Sequence, residues 1–266
     1  MKDTLTVGFV GCGNMGGALA RAVAKSSISP KLLLSDFDEA RVLALAEELS
    51  ATVSTNEKIA SEADFIFLGV KPGVLCSVLC EIKNTASANS DAVIVSMAAG
   101  ISTAKIKDHI SNKVIRIMPN TPALIGSGMI TYCTEVCHET DSTFRCLMEN
   151  AGRLDRIDEK LIDAASAVAG CGPAFVYMFI EALADGAVKC GLPRDKALLY
   201  AAATAEGSAK MIMETGEHPE ALKDKVCSPG GSTIEGVRAL EDGAFRATAL
   251  NAVVRSYEKT LQLGKS

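Results

Sequence analysis

The chain has 266 residues, 22% of them charged, and a formal net charge of −5. That length allows one large domain or two modest ones, and a mildly acidic chain without a basic cluster is not built for nucleic acid or an anionic membrane surface. The nine cysteines, an odd number with no C-x-x-C pair, exclude a zinc-binding pattern and are read as reduced thiols of a cytoplasmic protein, with no metal site expected.

The opening MKDTLTVGFV runs straight into a strand, without a signal-peptide pattern. Apolar runs of strand length occur at Leu5–Val10, Leu32–Leu34, Phe65–Val70, Ala92–Ser96 and Val114–Ile117. Helices are predicted between them at Ala18–Lys25, Glu39–Leu49, Val74–Ile82 and Thr103–His109. Such alternation predicts a mostly parallel sheet covered on both faces, with Met129–Cys133 and Leu154–Ile157 completing it. From about Leu161 onward the alternation stops. Long helices are predicted at Phe175–Cys190 and Asp195–Thr215, the second ended by Gly216. Shorter ones follow His218-Pro219 and cover Ile234–Leu240 and Ala244–Leu261. The chain thus divides into an α/β domain, residues 1–160, and an all-α domain, residues 161–266, packed directly together. Ala164–Ile180 carries no charge but is short and contains Gly172-Pro173, so it is read as a buried helical region and not a membrane span.

After Val10 the chain reads Gly11-Cys12-Gly13-Asn14-Met15-Gly16, a G-x-G-x-x-G between a strand and a helix. Gly11 permits a tight turn, Gly13 leaves room for a pyrophosphate, and Gly16 lets helix and strand pack closely. The free N–H groups at the helix start then bind phosphate. This is the fingerprint of a Rossmann dinucleotide-binding domain. Ser35 and Asp36 end the second strand. Asp36 suits the adenosine ribose hydroxyls of NAD(H) and opposes a 2′-phosphate, or it caps the next helix, a role Asp38 also fits. Val70, Lys71 and Pro72, and later Ala98 and Ala99, lie after strand ends on the side where such sheets bind ligands; Lys71 is either a cofactor contact or a solvated lysine.

A second glycine-rich turn, Ser228-Pro229-Gly230-Gly231-Ser232-Thr233, precedes a predicted helix. Exposed first-turn N–H groups and the helix dipole favour an anion such as a carboxylate; the alternative is a plain N-cap. His109, His138 and His218 sit beside charged or turn segments, so the base that alcohol oxidation requires is missing. Reduction of a C=N bond needs less, because an imine protonates readily.

These motifs together resemble the pyrroline-5-carboxylate reductase family from end to end. The resemblance is carried by GFVGCGNMG (8–16), FLGVKP (67–72), VSMAAG (95–100), RIMPNTPA (116–123), AGCGPAF (169–175), ADGAVKCGLPR (184–194) and CSPGGSTIEGVRALE (227–241). It implies reduction of a cyclic imine carboxylate to proline, with NADP(H) as first cofactor and NAD(H) as the alternative that Asp36 keeps open. It implies an α-domain that interlocks with a second subunit, in a homodimer or a larger ring of dimers. Ser228 and the backbone of Gly231, Ser232 and Thr233 are implied to hold the substrate carboxylate, and the Thr233 hydroxyl to bond the ring nitrogen as the catalytic group. Glu159 matches an acid near the substrate or simply starts a helix. Asn56 matches a contact on the adenosine side, and Asn120 the loop beside the nicotinamide. Cys227 stands where Thr or Ser is usual, and Lys225 where some members have Asn.

Two other readings compete. β-Hydroxyacid dehydrogenases share the N-terminal glycines but need a lysine soon after the interdomain turn; here Gly170-Cys171-Gly172-Pro173 is followed by no lysine until Lys189. A non-enzymatic dinucleotide sensor gives no reason for SPGGST.

Overall fold

The computed structural model describes residues 4–263. Strands β1 (Thr6–Val10), β2 (Lys31–Ser35), β3 (Thr52–Val53), β4 (Phe65–Leu68), β5 (Val93–Ser96), β6 (Lys113–Met118), β7 (Gly128–Thr134) and β8 (Gly152–Arg156) form one sheet, ordered β3-β2-β1-β4-β5-β6-β7-β8. All neighbours are parallel except β6 and β7. The order reverses at β1, which pairs with β2 on one side and β4 on the other, and ligands bind beyond the carboxyl ends of strands at such a reversal.

Helices α1 (Asn14–Ala24), α2 (Glu39–Leu49) and α6 (His138–Leu147) bury Leu19, Val23, Leu45 and Phe144 on one face of the sheet, against Phe9, Phe67 and Val95. On the other face, α3 (Asn56–Glu62), α4 (Pro72–Ala88) and α5 (Thr103–Lys107) cover Leu33, Ile66 and Ile94 with Ile59, Leu79 and Ile106. Phe9 and Phe67, on adjacent strands, stack at 4.6 Å between ring centroids. Helix α2 has the predicted limits because Asp38 caps it, accepting the Arg41 N–H at 3.1 Å. Helix α1 starts four residues before its apolar pattern, with Gly13 as N-cap, and β4 ends at Leu68 because Gly69 turns the chain. The sequence pattern missed β3, α3 and α6: β3 is two exposed residues, and α6 is mostly polar.

The chain forms two units. One runs to Cys171 and resumes at Ser256; the other is Gly172–Arg255. Helix α7 (Glu159–Ala169) therefore belongs with the sheet, so this division falls about ten residues beyond the expected boundary at 160. Its buried Ile162 packs with Met118 and Cys133 of the sheet.

The second unit is helical throughout: α8 (Gly172–Lys189), α9 (Arg194–Thr215), α10 (Pro219–Val226), α11 (Ser232–Asp242) and most of α12 (Phe245–Leu263). Helices α8 and α9 meet through Ala184, Ala197 and Ala201, and Gly216 stops α9 at φ +67°. The expectation that Ala164–Ile180 is buried holds for Ser166 and Ala167 but not for α8, where Val176, Tyr177 and Met178 are exposed. Glu159–Lys189 is long and apolar enough to cross a membrane by length and composition, with mean hydropathy 1.6. One such stretch is weak evidence for a span, since an apolar face awaiting a protein partner has the same composition.

Candidate active site

The first glycine turn has the geometry its motif predicts. Gly11 sits at φ +92°, accessible to glycine at little cost. A Cβ on Gly16 would lie 2.0 Å from the Gly11 carbonyl oxygen, whereas a Cβ on Gly13 would meet nothing within 4 Å. Space is thus filled behind the loop and open in front of it. Gly13 caps α1 without any side-chain hydrogen bond, leaving first-turn N–H groups as donors. Gly69 completes the crossing: a Cβ there would lie 2.4 Å from the same Gly11 oxygen. The glycine in FLGVKP was the available sign of this contact.

A cavity of about 540 Å³ opens beside this turn, walled by Gly11, Gly13, Asn14, Asp36, Phe37, Arg41, Val70 and Lys71. A smaller one of about 220 Å³ is bordered by Val10, Ser35, Asp36, Asn56 and Val78. Phe37 is 95% exposed at the lip, a feature that sequence pattern cannot reveal. The Asn56 amide nitrogen bonds both Glu81 oxygens at 3.0 Å, while its buried oxygen has no partner. An open glycine, free helix-start donors and this orphaned acceptor fit a dinucleotide.

Several expected contacts are arranged differently. Asp36 is turned inward, its side chain 3% exposed. It accepts the Cys12 N–H at 2.5 Å and the Asp38 N–H at 2.9 Å, and lies 3.6 Å from Arg41. It therefore anchors the glycine turn, and Asp38, not Asp36, is the helix cap. Cys12 offers little to a ligand: Asp36 takes its N–H, and burial, with the Asp36 charge, pushes the thiol up to about 12. Met15 is half-buried behind the turn, while Lys71 is exposed as N-cap of α4 with Pro72 next. Ala98 is buried and Ala99 half-buried in the β5–α5 turn. The Asn120 amide is used inside the first unit: its nitrogen donates to the Ala169 carbonyl and its oxygen accepts from Met129 N–H, both at 2.9 Å.

Glu159 is the first residue of α7, in keeping with the helix-start reading of the two that the sequence allowed. Its carboxylate accepts the Thr103 N–H and the Thr103 hydroxyl, each at 2.6 Å, and lies 3.4 Å from Arg116. Both oxygens are engaged within the first unit. It borders a polar cavity of about 480 Å³ that also includes Lys107, Glu135 and Arg156. Those charges are already matched, Lys107 by Glu135 and Arg156 by the Thr134 carbonyl and Asp141.

In the second unit, the SPGGST turn closes with Gly231 N–H donating to the Ser228 carbonyl at 3.0 Å, and Gly230 takes φ +65°. A Cβ on Gly231 would lie 2.3 Å from the Ser228 hydroxyl oxygen, so only glycine allows that hydroxyl its place. Gly231 caps α11 with no side-chain bond, and Ser232 and Thr233 are its first two residues. Among the described residues, the Ser228 and Thr233 hydroxyls have no hydrogen-bond partner, and both residues are exposed. Ser228, Gly231, Ser232 and Thr233 thus form one uncovered cup of donors. No group of three or more His, Cys, Asp or Glu that could hold a metal occurs among the described residues.

A Rossmann sheet with a cavity beside its glycine turn, followed by a helical unit, defines the class as dinucleotide-dependent oxidoreductases. Residues 6–100 match the family model described as NADP oxidoreductase, coenzyme F420-dependent, and residues 159–263 match that of pyrroline-5-carboxylate reductase dimerisation. The Escherichia coli K12 pyrroline-5-carboxylate reductase is 42% identical, covering 98% of both chains, and the Arabidopsis thaliana enzyme is 38% identical over 99% of this chain and 97% of its own. The crystal structure of the Plasmodium falciparum pyrroline carboxylate reductase with NADP bound superposes with a TM-score of 0.86 at 34% identity, covering 99% of each chain. The chain belongs to the pyrroline-5-carboxylate reductase family.

Proposed function

We propose that this protein reduces the C=N bond of 1-pyrroline-5-carboxylate to give L-proline, with NADP(H) as its first cofactor and NAD(H) as the alternative. The observation that carries the reading is the presence, in one chain, of two glycine-rich turns that each end in a helix capped by glycine with no side-chain hydrogen bond: Gly13 in the Gly11–Gly16 turn and Gly231 in SPGGST. Family membership and the NADP-bound relative support the reaction and the cofactor order. The nicotinamide supplies the hydride when the dinucleotide is bound.

The chain's own residues do the rest. The Gly11–Gly16 turn and the start of α1 hold the pyrophosphate, and Asn56 accepts from the adenosine side. The N–H groups of Ser232 and Thr233, with the Ser228 hydroxyl, hold the substrate carboxylate. That anchor brings the adjacent ring nitrogen within reach of the Thr233 hydroxyl. A neutral hydroxyl is a weak acid, so its role is a hydrogen bond that strengthens as the nitrogen gains amine character. The reaction needs no metal. The protein acts in the cytoplasm as a homodimer or a ring of dimers, a reading supported by the dimerisation-domain match.

The test is steady-state reduction of 1-pyrroline-5-carboxylate with NADPH and NADH side by side, before and after prolonged EDTA treatment. Turnover with NADPH that survives EDTA is expected. Absence of turnover with both cofactors overturns the reaction, and activity lost to EDTA and restored by zinc overturns its metal independence.

A further inference from the structure

We infer that Glu159 acts as a positioning residue for the β5–α5 turn, through Thr103. The turn from Met97 to Ser102 is weakly held by its own bonds. Met97 N–H to the Leu68 carbonyl, Ala98 N–H to the Ser96 hydroxyl and Ile101 N–H to the Ala98 carbonyl are all 3.4 Å. Gly100 lies at φ +73°, and α5, which follows, has five residues and one capping bond, Lys105 N–H to the Ser102 hydroxyl at 3.2 Å, too little for a helix to persist unaided. The two short bonds at this place come from 56 residues further along the chain: Glu159 accepts both the N–H and the hydroxyl of Thr103 at 2.6 Å. Bonds to a charged acceptor are the stronger kind.

The carboxylate is itself held. Arg116 of β6, its side chain 3% exposed, lies 3.4 Å from Glu159 and 2.6 Å from Asp163, one turn further along α7. Burying a guanidinium is costly unless paired. One cation between two carboxylates ties β6, α7 and the β5–α5 turn into a single network. Loss of one member strains a segment that carries Ala98 and Ala99. The inference rests on the reading that this turn borders the dinucleotide.

The test compares Glu159→Gln, Thr103→Val and Thr103→Ser with the wild type. NADPH affinity is measured by fluorescence titration, KM for the cyclic imine by steady-state assay, and stability by thermal melting. Glu159→Gln and Thr103→Val are expected to weaken NADPH binding by about five- to tenfold, with KM for the imine nearly unchanged. Thr103→Ser keeps the hydroxyl and recovers most of the affinity. If Glu159→Gln raises KM for the imine while NADPH affinity stays at the wild-type value, Glu159 contacts substrate and the inference fails. It fails equally if melting temperatures fall with affinity unaltered, since the network is then structural only. A wild type that binds neither NADPH nor NADH sinks the dinucleotide reading itself, and this inference with it, before any variant is compared.

Discussion

The two units bury their side chains in opposite ways. In the first, Phe9, Phe67, Tyr132, Phe144 and Leu79 are almost wholly removed from water. In the second, the buried hydrophobic residues are Ala184, Ala197 and Ala201, while Tyr177, Met178, Leu199, Tyr200, Met213 and Leu250 are more than half exposed. The first unit closes its own core. The second buries small groups where two helices touch and leaves its large apolar groups outside. Burial of alanines offsets little of the chain entropy lost on folding, so the second unit needs apolar surface from elsewhere. A second copy of the chain supplies it in the reading proposed above. The same contrast marks the two glycine turns: behind Gly11 and Gly16 the space is filled, and around Gly230 it is open.

The largest effect expected from breaking this contrast is at Gly16. In Gly16→Ala the new methyl meets the Gly11 carbonyl, and the backbone must shift. Overpacking of this kind costs about 1–3 kcal/mol, and the shift falls on the phosphate-binding turn, so dinucleotide affinity should drop about a hundredfold with a lower melting temperature. Gly13→Ala should lose affinity with melting unchanged, because its methyl enters open space. Equal melting losses in the two variants would erase the distinction between filled and open space.

Next is Met178→Glu. Met178 is 69% exposed in the single chain. If a second copy covers it, the variant buries an unpaired carboxylate at a cost of about 3 kcal/mol or more, and association weakens at least about a hundredfold. Sedimentation velocity reads this directly. A wild-type chain that sediments as a stable monomer at micromolar concentration shows that the second unit is complete alone, and the contrast collapses.

Thr233 and Ser228 test the open cup. Thr233→Ala should lower kcat about ten- to a hundredfold, from a bond worth about 1–3 kcal/mol, with cofactor affinity kept. Thr233→Ser should regain much of the rate. Ser228→Ala should act on KM, since a carboxylate contact is equal in ground and transition states. Wild-type kcat in Thr233→Ala reduces the hydroxyl to a helix-end ornament and moves proton supply to water.

The smallest effect is at Asp36. Asp36→Ala removes a negative charge from the wall of the cavity beside the glycine turn, while Arg41 keeps its 3.0 Å pair with Asp38, so the NADPH-to-NADH ratio of kcat/KM should rise, by no more than about fivefold. Affinity for both cofactors should fall together, because the Cys12 and Asp38 N–H groups lose their acceptor. A ratio that does not move would leave Asp36 a turn anchor without influence on cofactor choice.

Most of the α/β framework was legible because local physics specifies it. Strands buried on both faces must be continuously apolar, and α2 carries its own cap in Asp38. The glycines at 11, 13 and 16 were legible because backbone conformation and close approach allow few alternatives. By contrast, β3 and α6 have too little apolar pattern to announce themselves. Glu159 could not be resolved: an acid at a helix start looks the same in sequence whether it faces a ligand or Thr103.

The sequence by itself determined the order of the strongly apolar elements, the change from α/β to all-α, both glycine turns and the family, because each depends on residues near in the chain or on motifs of fixed spacing. Tertiary structure alone decided where the polar groups point. It turned Asp36 inward to the Cys12 N–H, engaged the Asn120 amide with Ala169 and Met129, and joined Glu159 to Thr103 and Arg116. It also showed that the uncharged first half of α8 leaves Val176, Tyr177 and Met178 uncovered by its own chain. The physical reason is common to all four. A polar or apolar side chain takes its partner from whatever the fold brings within a few ångströms, and the polar partners named here lie from nine to 56 residues away in the chain.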